Sequence, residues 1–268
     1  MDKYEKLKAR LKELGSVLVS FSGGIDSTFL LTAAVEVLGD NACAVTGADE
    51  SFPERELEFT RDYCREKGIR HYIVGTDPMK YEGYRNNTVK RCYYCKKSLF
   101  AQELKLADKI GVSYVAEGSN ADDSSDYRPG ALAACELGIV SPLKEAGFTK
   151  EEIRECAKAM GISIWDKPAY ACLASRFVYG EEITADKLKK IEIAENLLSD
   201  LGFEQRRVRL HGNLARIEVR ACDINKLAEE NTRARIVSEL ARIGFDYVTA
   251  DLAGYIRGSM NIFEEGKK

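Results

Sequence analysis

The chain has 268 residues, of which 45% are hydrophobic and 31% charged, a balance ordinary for globular domains and long enough for a large domain beside a smaller one. Forty basic against 43 acidic side chains leave a formal net charge of −3, which argues against a long polyanion such as nucleic acid as the main partner. No apolar run reaches the length of a membrane span, and the charged start Met1-Asp2-Lys3-Tyr4-Glu5-Lys6 is no signal peptide, so a cytoplasmic protein without a membrane partner is expected.

In chain order, Val17-Leu18-Val19-Ser20-Phe21 reads as a short buried strand, and Thr28 to Leu38 carries Leu30, Leu31, Ala34, Val37 and Leu38 at helical spacing. Asn41 to Thr46 is a second strand, and Ser51-Phe52-Pro53-Glu54 has the pattern of a capping box opening a helix. A third strand is expected over His71 to Val74, a helix over Cys92 to Lys109 and a fourth strand over Val112 to Ala116. Thr149-Lys150-Glu151-Glu152 starts another capped helix, which runs to Met160 and stops at Gly161. Alternation of this kind predicts parallel strands joined by crossover helices: an α/β, doubly wound sheet that binds ligands at the carboxyl ends of its strands.

The rhythm changes near Tyr179-Gly180. A helix (Ala185 to Leu201) precedes a hairpin of Arg206 to Leu210 and Ala215 to Arg220 about the turn His211-Gly212-Asn213. A long helix (Ile224 to Ile243), a strand (Tyr247 to Asp251) and a frayed tail from Glu264 complete the chain. The expected organisation is a nucleotide-binding domain over residues 1–178 and a smaller α+β domain over residues 179–268, serving substrate binding or oligomerisation.

Between the first strand and helix stands Ser22-Gly23-Gly24-Ile25-Asp26-Ser27. A strand, a small-residue turn and a helix together aim backbone N–H groups and the positive helix end at an anion. It is neither a Walker A loop nor the spaced glycine pattern of dinucleotide folds. SGGxDS after a strand resembles the PP-loop ATP pyrophosphatases, which implies cleavage of ATP between its α and β phosphates and transfer of AMP to a substrate oxygen. The backbone of Gly23, Gly24 and Ser27, with the Ser22 and Ser27 hydroxyls, is expected to cradle pyrophosphate. Asp26 is expected either to help hold Mg²⁺ or to cap the helix. Gly118-Ser119-Asn120, after the fourth strand, should face the nucleotide across the cleft.

The eight cysteines do not form a disulfide framework in such a protein. Cys43, Cys135 and Cys156 sit among apolar neighbours and read as core, while Cys64 and Cys222 carry no functional signal. Cys92, Cys95 and Cys172 remain. The single C-x-x-C of Cys92 and Cys95 suits half of a zinc site, a redox pair or part of an iron–sulfur ligand set. His71 and His211 are not spaced as its partners. Cys172, with Lys167 and Arg176 nearby in sequence to favour its thiolate, is the candidate third ligand, which would leave a metal position open for reaction.

Further motifs follow in order: Glu117-Gly118-Ser119-Asn120-Ala121-Asp122-Asp123, Asp126-Tyr127-Arg128-Pro129-Gly130, Ser141-Pro142-Leu143, Trp165-Asp166-Lys167-Pro168, Cys172-Leu173-Ala174-Ser175-Arg176 and Val208-Arg209-Leu210-His211-Gly212. Together with the glycine loop they resemble the LarE family of ATP-dependent sulfur transferases, which make the nickel-pincer nucleotide cofactor. The resemblance implies adenylation of a carboxylate on a pyridinium mononucleotide and its conversion to a thiocarboxylate. In one branch a cysteine at the position of Cys172 attacks the acyl-adenylate and loses its sulfur, leaving dehydroalanine. In the other, cysteines matching Cys92, Cys95 and Cys172 hold a 4Fe–4S cluster whose open iron carries the sulfide. All three cysteines are present here, so the cluster branch is expected, with ATP, Mg²⁺ and the cluster as cofactors and sulfide or a sulfur donor as co-substrate. The resemblance further makes Arg207 and Arg209 candidates for the substrate phosphate and implies a homo-oligomer; the alternative for these arginines, with Arg216, is a solvated basic face. Competing functions are sacrificial use of Cys172, tRNA thiolation, an ammonia-using synthetase, and a nucleotide-sensing or cluster-storage module without turnover.

Overall fold

The structure is a computed structural model that describes residues 2–124, 129–168, 171–256 and 258–260. In chain order the elements are α1 (Lys3–Leu14), β1 (Val17–Ser20), α2 (Ile25–Leu38), β2 (Ala42–Ala48), α3 (Glu54–Glu66), β3 (His71–Gly75), α4 (Glu82–Arg85) and α5 (Arg91–Ile110). They continue as β4 (Tyr114–Ala116), α6 (Pro129–Glu136), α7 (Pro142–Glu145) and α8 (Lys150–Ala159). Last come α9 (Ala185–Asp200), β5 (Arg206–His211), β6 (Leu214–Val219), α10 (Ile224–Ala228), α11 (Glu230–Arg242) and β7 (Tyr247–Ala250). Two compact units result, Met1–Tyr81 with Lys90–Tyr170 and Glu82–Val89 with Ala171–Lys268, so no single cut in the sequence separates them.

The first unit is built on a four-stranded parallel sheet in the order β3-β2-β1-β4. Val17 and Val19 of β1 enter a core with Leu7, Phe29 and Phe148, whereas Leu18 enters another with Val45, Phe100 and Val115. Burial on both faces is why this strand reads as an unbroken apolar run. Strand order reverses between β1 and β4, so the loops leaving those two strands meet at the carboxyl edge of the sheet, where α/β folds bind ligands.

Local differences from the sequence reading have local causes. β4 starts at Tyr114 because the Val112 N–H donates to the Ala107 carbonyl, closing the C-terminus of α5 through Gly111 at φ +72°. The capping box expected at Ser51 is absent: Pro53 is the N-cap of α3, and Ser51 Oγ donates to Asp49 instead. The box at Thr149 and Glu152 is present in both directions.

In the second unit β5 and β6 form an antiparallel hairpin, and β7 adds parallel to β6. Val208, Leu210, Ile217 and Val219 are buried along with Leu188, Ile191 and Leu198 of α9 and Leu240 of α11. The helix expected over residues 224–243 is two helices, broken where Glu229 adopts ψ 135°. Its carbonyl accepts from Arg233 N–H, and Glu229 and Glu230 bring negative charge to the new N-terminus.

Candidate active site

The glycine loop is folded as an anion cradle. Gly24 is the N-cap of the 14-residue α2, so the positive helix end faces the loop. Ser27 Oγ donates to the Gly24 carbonyl at 3.0 Å and accepts from the Ser22 N–H at 3.3 Å, with Ser22 Oγ 3.2 Å away. At Gly23 φ is +71° and a Cβ would lie 2.9 Å from the Phe59 ring, so glycine is required twice over. Gly118, leaving β4, has its Cβ direction blocked by the loop backbone itself: 2.9 Å to Ser27 N and 3.2 Å to Asp26 C. Gly118 thus packs directly on the start of α2, and the two loops form one surface. Gly118→Ala is expected to force them apart at a cost of about 1–3 kcal/mol, measurable by urea unfolding; an unchanged midpoint would show that the contact yields freely. Asn120 is buried, its Oδ1 accepting from the Asp122 N–H and its own N–H donating to Asp123, so its side chain shapes the loop. Asp122 accepts from the Lys150 N–H at the start of α8.

Asp26 is not a cap; it lies in the first turn of α2 and pairs through Oδ2 with the Lys150 ammonium. Its Oδ1 is buried with no hydrogen-bond partner among the described residues. A hard anionic oxygen left open beside a phosphate cradle fits a magnesium ion. Lys167 Nζ donates to Glu56 at 2.6 Å and to the Gly23 carbonyl at 3.2 Å.

Beneath the loop, at the carboxyl edge of the sheet, Ser20 Oγ donates to Glu103 Oε1 at 2.8 Å. Glu103 is fully buried on α5, its Oε2 has no partner among the described residues, and burial pushes its carboxyl up from 4.5 to about 8. The unfolded chain therefore releases this proton at lower pH than the folded one, so the contribution of Glu103 to stability is most favourable below about 4.5 and is lost as pH rises towards about 8. Glu103→Gln removes that decline. Urea unfolding should show the variant gaining up to about 1.4 kcal/mol per pH unit across this window, with no gain at its acid end; a pH-independent difference would mean Glu103 does not carry the proton.

Cys92 and Cys95 lie one turn apart at the start of α5, Cys92 exposed and Cys95 half-buried. Arg91 Nη2 donates to Cys92 Sγ at 3.8 Å, while Tyr94 stacks on Tyr81 and meets Tyr93 edge-on. Cys172, in the second unit, is half-buried and precedes a short 3-10 turn over Leu173–Arg176. Its carbonyl accepts from Ser175 N–H at 3.0 Å, Ser175 Oγ at 2.8 Å and Arg176 Nη1 at 2.9 Å, so the main chain bearing the thiol is held by three donors. Arg176 also donates to the Ala171 carbonyl and makes a two-pronged pair with Glu195, at 2.8 and 2.9 Å. Burial would raise Glu195, but the Arg176 guanidinium, Arg207 and the Val208 N–H together hold its carboxyl below the usual range. The two cations expected to favour a Cys172 thiolate are thus both matched by carboxylates, Arg176 by Glu195 and Lys167 by Glu56. No group of three or more His, Cys, Asp or Glu side chains suited to a metal ion occurs among the described residues. Cys135, expected in the core, is exposed, whereas Cys64 is buried and its thiol pushed up to about 12.

Arg207 and Arg209 are not a solvated face. They are 2% and 5% exposed on the side of β5 opposite Val208 and Leu210. Arg209 pairs with Glu218 of β6 at 2.8 Å and donates to the Ser175 carbonyl at 3.0 Å, while Arg207 lies over the Tyr255 ring. Arg216 completes the group, bonded to Glu218 and Asp251. Through Ser175 this arginine face is tied to the turn that follows Cys172. Sequence reasoning missed Glu195, Glu218, Lys150 and Glu103. Glu195 and Glu103 left a signal, acids at core spacing: Glu195 four residues after Ile191 and three before Leu198, Glu103 three after Phe100 and four before Ala107.

A parallel α/β sheet with SGGIDS at its switch point defines a PP-loop ATP pyrophosphatase. Pyridinium-3,5-bisthiocarboxylic acid mononucleotide synthase of Lactiplantibacillus plantarum is 38% identical over 95% of this chain and 92% of its own length. The chain belongs to the LarE family and is an ATP-dependent sulfurtransferase. An uncharacterized protein of Synechocystis is 42% identical over 97% of both chains. A tRNA-specific 2-thiouridylase of Clostridium botulinum is 28% identical over 56% of this chain and 52% of that enzyme. No known family profile matches the chain. Among the described residues no helix is long and apolar enough to cross a membrane.

Proposed function

We infer that the protein adenylates a carboxylate of a pyridinium mononucleotide, releasing pyrophosphate, and replaces the activated oxygen with sulfur, releasing AMP. The observation that carries this reading is the end-to-end similarity to the L. plantarum synthase. The glycine loop, Asp26 and Gly118-Ser119-Asn120 would hold ATP, with Asp26 Oδ1 on magnesium. Arg207 and Arg209 would hold the substrate phosphate, because guanidinium groups already desolvated on one face of β5 bind an oxyanion strongly. Cys92, Cys95 and Cys172 would hold a 4Fe–4S cluster; Cys92 is exposed and the other two are half-buried. When bound, the cluster supplies the sulfide that is transferred. The residues of the chain do the rest: they bind both nucleotides, align carboxylate with α-phosphate and keep water from the acyl-adenylate. A homo-oligomer belongs to the same proposal.

A second reading is favoured by the turn that bears Cys172, whose carbonyl is held by three donors from Ser175 and Arg176. There the Cys172 thiolate attacks the acyl-adenylate and displaces AMP. Loss of the Cα proton then breaks the Cβ–S bond, giving thiocarboxylate product and dehydroalanine in the chain. Transfer to tRNA rests only on a relative of which this chain covers about half. The test is anaerobic incubation with ATP, magnesium and pyridinium-3,5-dicarboxylate mononucleotide. Thiocarboxylate, AMP and pyrophosphate in equal amounts support the reading, and nucleotide binding without AMP formation refutes it.

A further inference from the structure

Two lysines are fastened at the glycine loop, Lys150 through Asp26 and Lys167 through the Gly23 carbonyl, and each pairs with an acid. Lys150, the first residue of α8, pairs with Asp26 inside the first turn of α2. Lys167 bonds to Glu56 of α3 and to the Gly23 carbonyl, with its ammonium 4.1 Å from the centre of the Phe59 ring. Both side chains stay open to solvent, 31% and 21% exposed. An ammonium has three N–H donors. Among the described residues Lys167 uses two on the partners named and Lys150 uses one on Asp26, so each retains a donor at the loop.

The acids offset the lysines, two against two, so in the absence of nucleotide the cluster is neutral and neither lysine is a bare charge beside the other. A polyphosphate on the loop remains anionic even with one magnesium bound, and it needs compact cations on flexible stems rather than backbone N–H groups alone. The Gly23 carbonyl and Asp26 mark the two ends of the cradle, and one lysine stands at each. We propose that Lys150 and Lys167 are ligands of the ATP phosphates, oriented by Asp26 and Glu56 as positioning acids. This rests on the reading of the glycine loop as the pyrophosphate cradle.

The test is calorimetric titration of magnesium pyrophosphate and, separately, of AMP into wild type, Lys150→Met, Lys167→Met and Glu56→Gln. Methionine keeps the apolar stem, including its packing on Phe59, and melting curves report whether each variant is folded. Each lysine variant should bind pyrophosphate about 10- to 100-fold more weakly, the loss of one charge-assisted bond, with AMP affinity unchanged. Glu56→Gln should bind pyrophosphate more tightly, because a negative charge beside the anion is gone while Lys167 keeps its Gly23 bond. A lysine that merely tethers α3 and α8 predicts the opposite sign: Glu56→Gln would then weaken pyrophosphate binding just as Lys167→Met does. That result, or unchanged pyrophosphate affinity in folded lysine variants, overturns the proposal. Wild type that binds neither pyrophosphate nor AMP refutes instead the underlying reading of the loop.

Discussion

Cys172→Ala is expected to abolish sulfur transfer while leaving ATP–pyrophosphate exchange with the carboxylate substrate intact. The separation follows from the placement of the groups. The proposed cradle for pyrophosphate is formed by β1, α2 and the loop after β4, all in the first unit, whereas Cys172 belongs to the second, on a turn held by Ser175 and Arg176. Under the proposed function adenylation uses the former, and sulfur delivery the latter. Cys92→Ala and Cys95→Ala distinguish the two routes to sulfur. Under the cluster route anaerobically purified wild type carries about four irons per chain, each of the three alanine variants loses them, and each loses sulfur transfer. Under the sacrificial route wild type is iron-free, Cys92→Ala and Cys95→Ala still make one product per chain, and the mass of wild type falls by one hydrogen sulfide. Iron analysis with intact-mass spectrometry before and after one turnover reads both. Retention of sulfur transfer by Cys172→Ala would exclude both routes.

The largest expected loss of stability comes from the Arg176–Glu195 pair. Both side chains are almost wholly excluded from water, at 0% and 2% exposure, and removing one partner of such a pair typically costs about 3–5 kcal/mol because the other charge is left buried. Arg176→Met keeps the bulk of the stem and leaves the Glu195 carboxylate buried without its guanidinium. The pH dependence then changes sign. In wild type the Glu195 carboxyl is held below its ordinary value, so the pair's contribution is present above that value and is lost as acid protonates the folded state. In Arg176→Met, burial dominates and raises the carboxyl, so the variant loses stability as pH rises through the ordinary carboxylate range. Urea unfolding from pH 4 to 8 reads the two slopes, and parallel curves would show that Arg176 does not set the charge state of Glu195. Because Arg176 also binds the carbonyls of Ala171 and Cys172, Arg176→Met should slow sulfur transfer more than adenylation.

Much of this protein is legible residue by residue. Alternating apolar runs and glycine stops specify the parallel sheet, because a strand buried on both faces must be apolar throughout and a crossover helix must be periodic. SGGIDS specifies its own turn, since a residue at φ +71° packed against Phe59 must be glycine. The Thr149–Glu152 box specifies where α8 begins. All of these are settled by neighbours within a few positions, and the cysteines at 92, 95 and 172 are likewise picked out by spacing and context.

What only the tertiary structure decided are the pairings between distant charges. Whether Arg207 and Arg209 are a wet basic patch or a buried guanidinium face depends on Glu218 across the hairpin and on Tyr255 covering the sheet. Helical spacing puts Glu103 on the core face between Phe100 and Ala107, but that its carboxyl is held up to about 8 follows from the burial the fold imposes. Likewise, that Lys150 and Lys167 stand at the glycine loop, more than a hundred residues away in sequence, follows from how α2, α3 and α8 pack. Hydrophobic periodicity and turn chemistry are short-range and can be read from a string. The state of a charge depends on which solvent and which counter-ion the fold brings to it, and that is a property of the assembled chain.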